Sequence, residues 1–240
     1  MKKAMSPLLH WTPRVFPPHE VLQGKICRLE PLSFKKHCDG LYKALEGPGS
    51  DPVLYEYLLN GPFEERSKFD EWVTQMDSSV DPQFYAIVEN KSDLITGLIS
   101  FLRIDKNDGC IEIGHVAFGA TMQRKPIGTE VIYLLGKLAM DDLGYRRLEW
   151  KCHNENERSK RAAQRFGFTF EGLFRQHRVC RDRNRDTAWF SIIDSEWPAC
   201  RDAFENWLDP ENFDAEGMQV QTLEAIRASL KAPTSVELEG

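Results

Sequence analysis

The chain has 240 residues, with 31 Lys/Arg against 37 Asp/Glu, a net charge of −6 and a hydrophobic content of 41%. That length suits one sizeable domain with appendages or two small domains, over a core that needs neither metal nor disulfide staples. No run of about 18 apolar residues exists to span a membrane, and six scattered cysteines and six scattered histidines lack metal-ligand spacing, which predicts no metal and reduced thiols in a cytoplasmic protein.

The opening "MKKAMSPLLHWTP" carries two lysines, but Pro7, His10 and Pro13 interrupt any apolar segment, so no secretory signal is expected. Residues 1–24 are Pro-rich and aperiodic, and read as an arm. "KICRLEPL" is a short strand, and "SFKKHCDGLYKALEG" a helix opened by Ser33 and closed by Gly47. After the loop "GPGSDP", the stretch "FEERSKFDEWVTQMDSS" is amphipathic at helical spacing through Phe63, Phe69, Trp72, Val73 and Met76. Three strands follow, "QFYAIVE", "LITGLISFLRI" and "CIEIGHVAF", separated by the turn signals "NKSD" and "DKNDG" and so paired as antiparallel hairpins.

The next helix places Ile127, Val131, Leu134, Leu135 and Leu138 on one side, with Gly144 just past its end. "RRLEWKC" is a strand, and "NERSKRAAQRF" a helix capped by Asn156 and stopped by Gly167. "FTFEGLFRQHRVC" and "DTAWFSIID" form a hairpin around "RDRNR", "SEWPACRDAFENWL" is a closing helix, and "MQVQTLEAIRASL" is one weak helix before a polar end. A helix between the fourth and fifth strands makes those two parallel inside a mostly antiparallel sheet. The fold class is α+β with helices on both faces. It divides into an arm at 1–24, a domain at 25–197 and an acidic helical extension and tail at 198–240. The strand aromatics Phe101, Trp150, Phe170, Phe174, Trp189 and Phe190 are expected in the core.

Charge is uneven. Arg146 to Arg185 holds twelve Arg/Lys against five Asp/Glu, and Asp194 to Gly240 three against eleven. An anionic ligand near the basic stretch, or pairing between the two, accounts for this pattern. The segment "QRKPIG" narrows the choice. First-turn N–H groups of a helix lack internal partners and carry partial positive charge, which suits a phosphate. Pro126 fits the first helical position, and Gly128 lets an anion approach the backbone. The donors of this cradle are Arg124, Lys125, Ile127, Gly128 and Thr129.

"CIEIGHVAF" directly before that loop, and "NENERSKRAAQRFGFTFEG" one strand later, resemble the GNAT acyltransferase family, most closely its ribosomal-protein N-terminal acetyltransferases and their small-molecule relatives. The likeness covers roughly Lys25 to Trp197. Gln123 and Gly128 match the family's pyrophosphate loop, although Pro126 stands where its first glycine usually is. Asn156, Ser159, Gly167 and Phe168 match its second motif. The resemblance implies a GNAT fold whose parallel strands splay apart, with acetyl-CoA as co-substrate and its pantetheine amides on the backbone of Val116, Ala117 and Phe118. Asn156 and Ser159 would flank the pantetheine arm. Transfer would be direct, from acetyl-CoA to a primary amine of a small molecule or a protein N-terminus.

Such a reaction needs a base, an oxyanion donor and a proton for the leaving thiolate. Glu112, a carboxylate amid apolar strand residues, is the first base candidate, with pairing to an Arg as its alternative. His115 titrates near neutrality. In an unbroken strand it would face away from Glu112, and only a bulge would bring the two together. Ser159 is the candidate acid at sulfur, and a backbone N–H near Val116 the oxyanion donor. Phe69 and Trp72 are expected to line the acceptor pocket, with the loop "GPGSDPVLYEYLLNGP" as its lid. A homodimer through the C-terminal strands is compatible with the pattern. The second reading is a non-catalytic module binding CoA, or an RNA or ribosome surface. The acidic whole and the sparse aromatics of "RQHRVCRDRNRD" disfavour nucleic acid.

Overall fold

The computed structural model describes residues 10–231. The first nine residues, where the leader was sought, and the last nine of the acidic tail lie outside the described residues. Among the described residues no helix is long and apolar enough to cross a membrane.

Eight strands form one sheet in the order β1-β2-β3-β4-β5-β6-β8-β7. They are β1 (Leu22–Gln23), β2 (Cys27–Pro31), β3 (Gln83–Glu89), β4 (Ile95–Asp105), β5 (Cys110–Phe118), β6 (Arg147–His153), β7 (Thr169–Cys180) and β8 (Arg183–Ile193). Every neighbouring pair is antiparallel except β5 and β6, which are joined by the crossover helix α3 (Pro126–Lys137). The sheet is the mixed α+β sheet that the order of elements predicted.

Alternation assigns the two faces. Tyr85, Ile87, Ile99, Phe101, Ile111 and Ile113 pack under α3, α4 (Glu157–Phe166) and α5 (Trp197–Trp207). Phe84, Ala86, Leu98 and Ala117 pack under α1 (Phe34–Leu45) and α2 (Arg66–Asp77). Strand β3 is apolar on both sides because both sides are covered. Phe63, expected inside α2, precedes it and stacks against Phe69 and Trp72. Ser33 occupies the N-cap of α1 without a side-chain cap bond; its backbone N–H donates to Nδ1 of His37 instead.

The predicted arm contributes β1, and Glu130 of α3 ties the chain beside it. Its buried carboxylate accepts N–H groups of Lys25, Ile26 and Cys27 at 2.7–2.8 Å. Three predicted core aromatics are not in the core: Phe170 is 50% and Phe174 48% exposed, and Trp189 of β8 is half-buried against Phe174. The two phenylalanines lie on β7, an edge strand of the sheet, which pairs only with β8. The turn of that hairpin is also tighter than "RDRNR" suggested. Arg181 and Asp182 alone make it, both with positive φ, the geometry that suits a two-residue hairpin. The acidic stretch after α5 supplies α6 (Leu223–Lys231), whose Arg227 donates to the carbonyls of Gln164 and Arg165 at the end of α4.

Candidate active site

The parallel ladder between β5 and β6 stops at Ile113 opposite Trp150. Gly114 to Phe118 continue along β4 alone, and Lys151 to His153 along β8. The two strands therefore separate over the second half of β5, and the N-terminus of α3 stands at the mouth of the gap.

Local sequence builds that mouth. Pro126 sits at the first helical position after extended Lys125, and Arg124 takes a positive φ of 60° that turns the chain into the helix. No side chain caps the first turn; the Gly128 and Lys125 N–H groups make only long bonds, to the Lys125 and Met122 carbonyls at 3.4 and 3.3 Å, which a ligand anion could replace. A Cβ on Gly128 would lie 3.4 Å from Cε2 of Phe118; the bare backbone keeps the helix start close to β5. Gln123 braces the loop by donating to Asp51 and to the Phe118 carbonyl at 3.1 and 3.2 Å.

A cleft of about 820 Å³ opens here, lined by Val116, Phe118, Gln123–Pro126, Gly128, Thr129, Asn156, Ser159 and Arg165, among others. Ala117 and Ile127 turn their side chains into the two cores, so only their backbone can serve a ligand. Arg165 was missed by the sequence reading. It donates to Oγ1 of Thr129 at 2.9 Å and lies 4.8 Å from the Trp207 ring, and burial lowers its pKa below that of an ordinary guanidinium. Nothing local marks it, since the residues it meets are 36 and 42 positions away.

A smaller cavity of about 180 Å³ lies through the gap, lined by Glu112, His115, Lys151, His153, Arg178 and Arg185 with Leu54, Tyr57 and Leu58 of the 51–61 loop. Val116, Trp150, Asn156 and Ser159 border both spaces. Phe69 and Trp72 line neither; they pack with Phe63 inside the α1–α2 side. Loop residues take the place expected of them.

The loop is fastened at both ends. Asp51 accepts Arg158 at 3.0 Å and Gln123 at 3.1 Å. Arg181, at the tip of the β7–β8 hairpin, donates to the carbonyls of Tyr55, Leu58 and Gly61 at 3.2, 2.9 and 2.6 Å.

Glu112 is 3% exposed and held by Lys151 at 2.6 Å and Arg103 at 2.5 Å, which is its pairing alternative with a lysine added. His115 sits in the bulge. Leu98 opposes Ala117 and Ser100 opposes Gly114, so His115 and Val116 together face Ile99, and His115 has a φ of 49°. The extra residue brings its ring to Phe84 at 4.9 Å and Ser100 at 2.8 Å, on the face that Glu112 shares. Burial, then the Arg103 charge, lowers the His115 pKa to about 4, so its imidazole is neutral at pH 7. Asn156 caps α4 through its side chain on the Ser159 N–H at 2.9 Å, and Gly167 closes the helix with a φ of 103°. Ser159 Oγ accepts the Trp150 indole N–H at 3.0 Å.

A sheet split at its single parallel pair, with a crossover helix pointing its N-terminus into the split, defines the GNAT class of acetyltransferases. The chain belongs to this family: the profile of the "Acetyltransferase (GNAT) domain" matches residues 28–169. It is similar to a GCN5-related N-acetyltransferase from Brucella melitensis, with 45% identity and a TM-score of 0.88 over 92% of this chain and 100% of that one. A structure of a probable GNAT-family acetyltransferase from Chromobacterium violaceum shares 36% identity at a TM-score of 0.76 over 82% and 98% of the two chains. An uncharacterized N-acetyltransferase p20 from Bacillus licheniformis is 27% identical over 62% of this chain and 84% of its own.

Proposed function

We propose that this acetyltransferase moves the acetyl group of acetyl-CoA directly to a primary amine, of a small molecule or a protein N-terminus. The observation that carries the reading is the continuity of the two spaces across the β5–β6 gap. One, of about 820 Å³, runs from the α3 start to the gap, and the other, of about 180 Å³, lies beyond it. The CoA pyrophosphate would lie on the first turn of α3, at Gln123, Arg124, Lys125, Gly128 and Thr129, with Ile127 giving its N–H and Arg165 a deeper charge. Pantetheine would run along Val116, Ala117 and Phe118, with Asn156 and Ser159 opposite.

In the reaction the amine nitrogen attacks the thioester carbonyl, its extra proton leaves, and the C–S bond breaks with the sulfur taking a proton. The surroundings of Glu112 oppose a role as base, because protonation would leave Lys151 and Arg103 facing a neutral acid. Glu112 fits better as the group that fixes those cations. In our reading His115, neutral at pH 7 but a weak base with its pKa lowered to about 4, takes the proton only after attack has made the nitrogen far more acidic. Ser100 Oγ lies 3.2 Å from the Gly114 carbonyl and 2.8 Å from Nδ1 of His115; with its hydrogen on the carbonyl, it would accept from Nδ1–H of His115. That tautomer leaves Nε2 bare to receive a proton. Ser159 accepts from Trp150, so its own hydrogen remains to be donated, to the Cys152 thiol beside it or to a leaving sulfur.

Calorimetric titration of acetyl-CoA, followed by thiol-release assays across a panel of primary amines, tests the reading. Micromolar binding with amine-dependent thiol release is expected. Binding without turnover of any amine, or salt-sensitive RNA binding in its place, would favour the non-catalytic alternative.

A further inference from the structure

The small cavity carries more positive charge than its own ion pairs consume. Arg103 and Lys151 share Glu112, and Lys151 has Glu149 as well at 2.6 Å. Arg178 and Arg185, which line the same cavity, have no carboxylate partner among the described residues. They stand directly opposite each other across β7 and β8, an arrangement of like charges that costs stability in a sheet. Arg185 is also partly desolvated. Its Nε is buried and makes no hydrogen bond, as is true of Trp189 Nε1, four residues along the same face of β8. Desolvation, and then the nearby Arg178 and Arg103 charges, lower the Arg185 pKa.

Two unpaired guanidiniums, one with a buried unfilled donor, around a cavity of about 180 Å³ form a receptor for a planar or tetrahedral oxyanion. We infer that the acceptor amine carries a carboxylate or phosphate, and that Arg178 and Arg185 bind this group in the small cavity. The inference rests on the proposal that this cavity is the acceptor side of an acetyltransferase. The same charges assist the chemistry: cations beside the amine disfavour its ammonium form, so the acceptor arrives closer to the neutral nucleophile that attack requires. A polycationic acceptor is excluded by the same reasoning.

The test uses the full chain saturated with CoA, so that anion binding in the large cleft is blocked. Thermal melts are recorded with increasing sodium phosphate or sodium acetate, with ionic strength held constant by chloride. The proteins are the parent, Arg185→Gln, Arg178→Gln and, as a surface control on the same hairpin, Arg183→Gln. A concentration-dependent rise in Tm is expected for the parent and Arg183→Gln, with apparent affinity at least tenfold weaker in either of the other variants. Arg178 is exposed, so its variant keeps the test alive should Arg185→Gln not fold. The stronger of the two anions identifies the acceptor's acidic group. No anion response in the CoA-saturated parent, or a response in the Arg178 and Arg185 variants equal to the parent's, would overturn the inference. Failure of CoA itself to raise Tm strikes the cofactor reading instead, and the anion titrations still judge the cavity.

Discussion

Replacing Gly128 by Glu is expected to weaken acetyl-CoA binding at least a hundredfold. The added carboxylate would project from the first turn of α3 toward the cleft that Gly128 lines. At roughly 5 Å from one phosphate charge, with an effective dielectric near 20, repulsion is about 3 kcal/mol. The helix terminus contributes up to about 1 kcal/mol more, since the new carboxylate competes for the same partial positive charge. Size alone is worth much less: the new Cβ meets Phe118 Cε2 at 3.4 Å, which a small ring shift relieves. Gly128→Gln, equal in size and uncharged, should therefore bind within about tenfold of the parent. Calorimetry on the three proteins decides, and the deficit of the Glu variant should shrink at high salt. Equal losses in Glu and Gln variants would make the effect steric, and no loss in either would remove the phosphate from this helix start.

Glu112→Gln should destabilise the fold by about 1–3 kcal/mol in urea unfolding, less than a wholly stranded buried charge costs, because Lys151 keeps Glu149. A base at Glu112 would instead show a hundredfold fall in turnover with stability intact. Glu30 supplies an acid-dependent prediction. Burial alone would raise its pKa, but hydrogen bonds from Lys36, His37 and Arg28 outweigh that and lower it from 4.5 to about 2. Its contribution is present above pH 4.5 and lost as the pH falls toward 2, at a slope approaching about 1.4 kcal/mol per unit. Chemical denaturation from pH 5 to pH 2 should show that slope in the parent and a shallower one in Glu30→Gln.

What could be read from sequence was what neighbours along the chain determine. Asn156 and Gly167 mark the ends of α4 because a cap is made within four residues. The position of Pro126 at the start of α3 is equally local. The bulge at His115 was not readable, since it depends on the register that β4 imposes, and no glycine marks the left-handed residue. Alternation therefore put His115 opposite Glu112, and the extra residue puts them together. Phe170 and Phe174 looked like core residues because apolar strand residues usually are; their exposure follows from β7 lying outermost, a fact about the whole sheet. Arg165 acquires its meaning only when α4 packs beside α3.

The grip of Arg181 on the 51–61 loop also bears on how this enzyme could change. The guanidinium holds three carbonyl oxygens, a group that every amino acid carries. That part of the anchorage is indifferent to which side chains the loop displays, whereas Asp51, the buried Tyr55 and the Tyr57 hydroxyl on the Glu155 carbonyl fasten the loop through theirs. Leu54 and Leu58 line the proposed acceptor pocket and also pack against the α1–α2 core, so apolar exchanges there would recut that pocket while the Arg181 grip keeps the loop docked. That division makes the backbone grip of Arg181 the feature to preserve when the loop is redesigned.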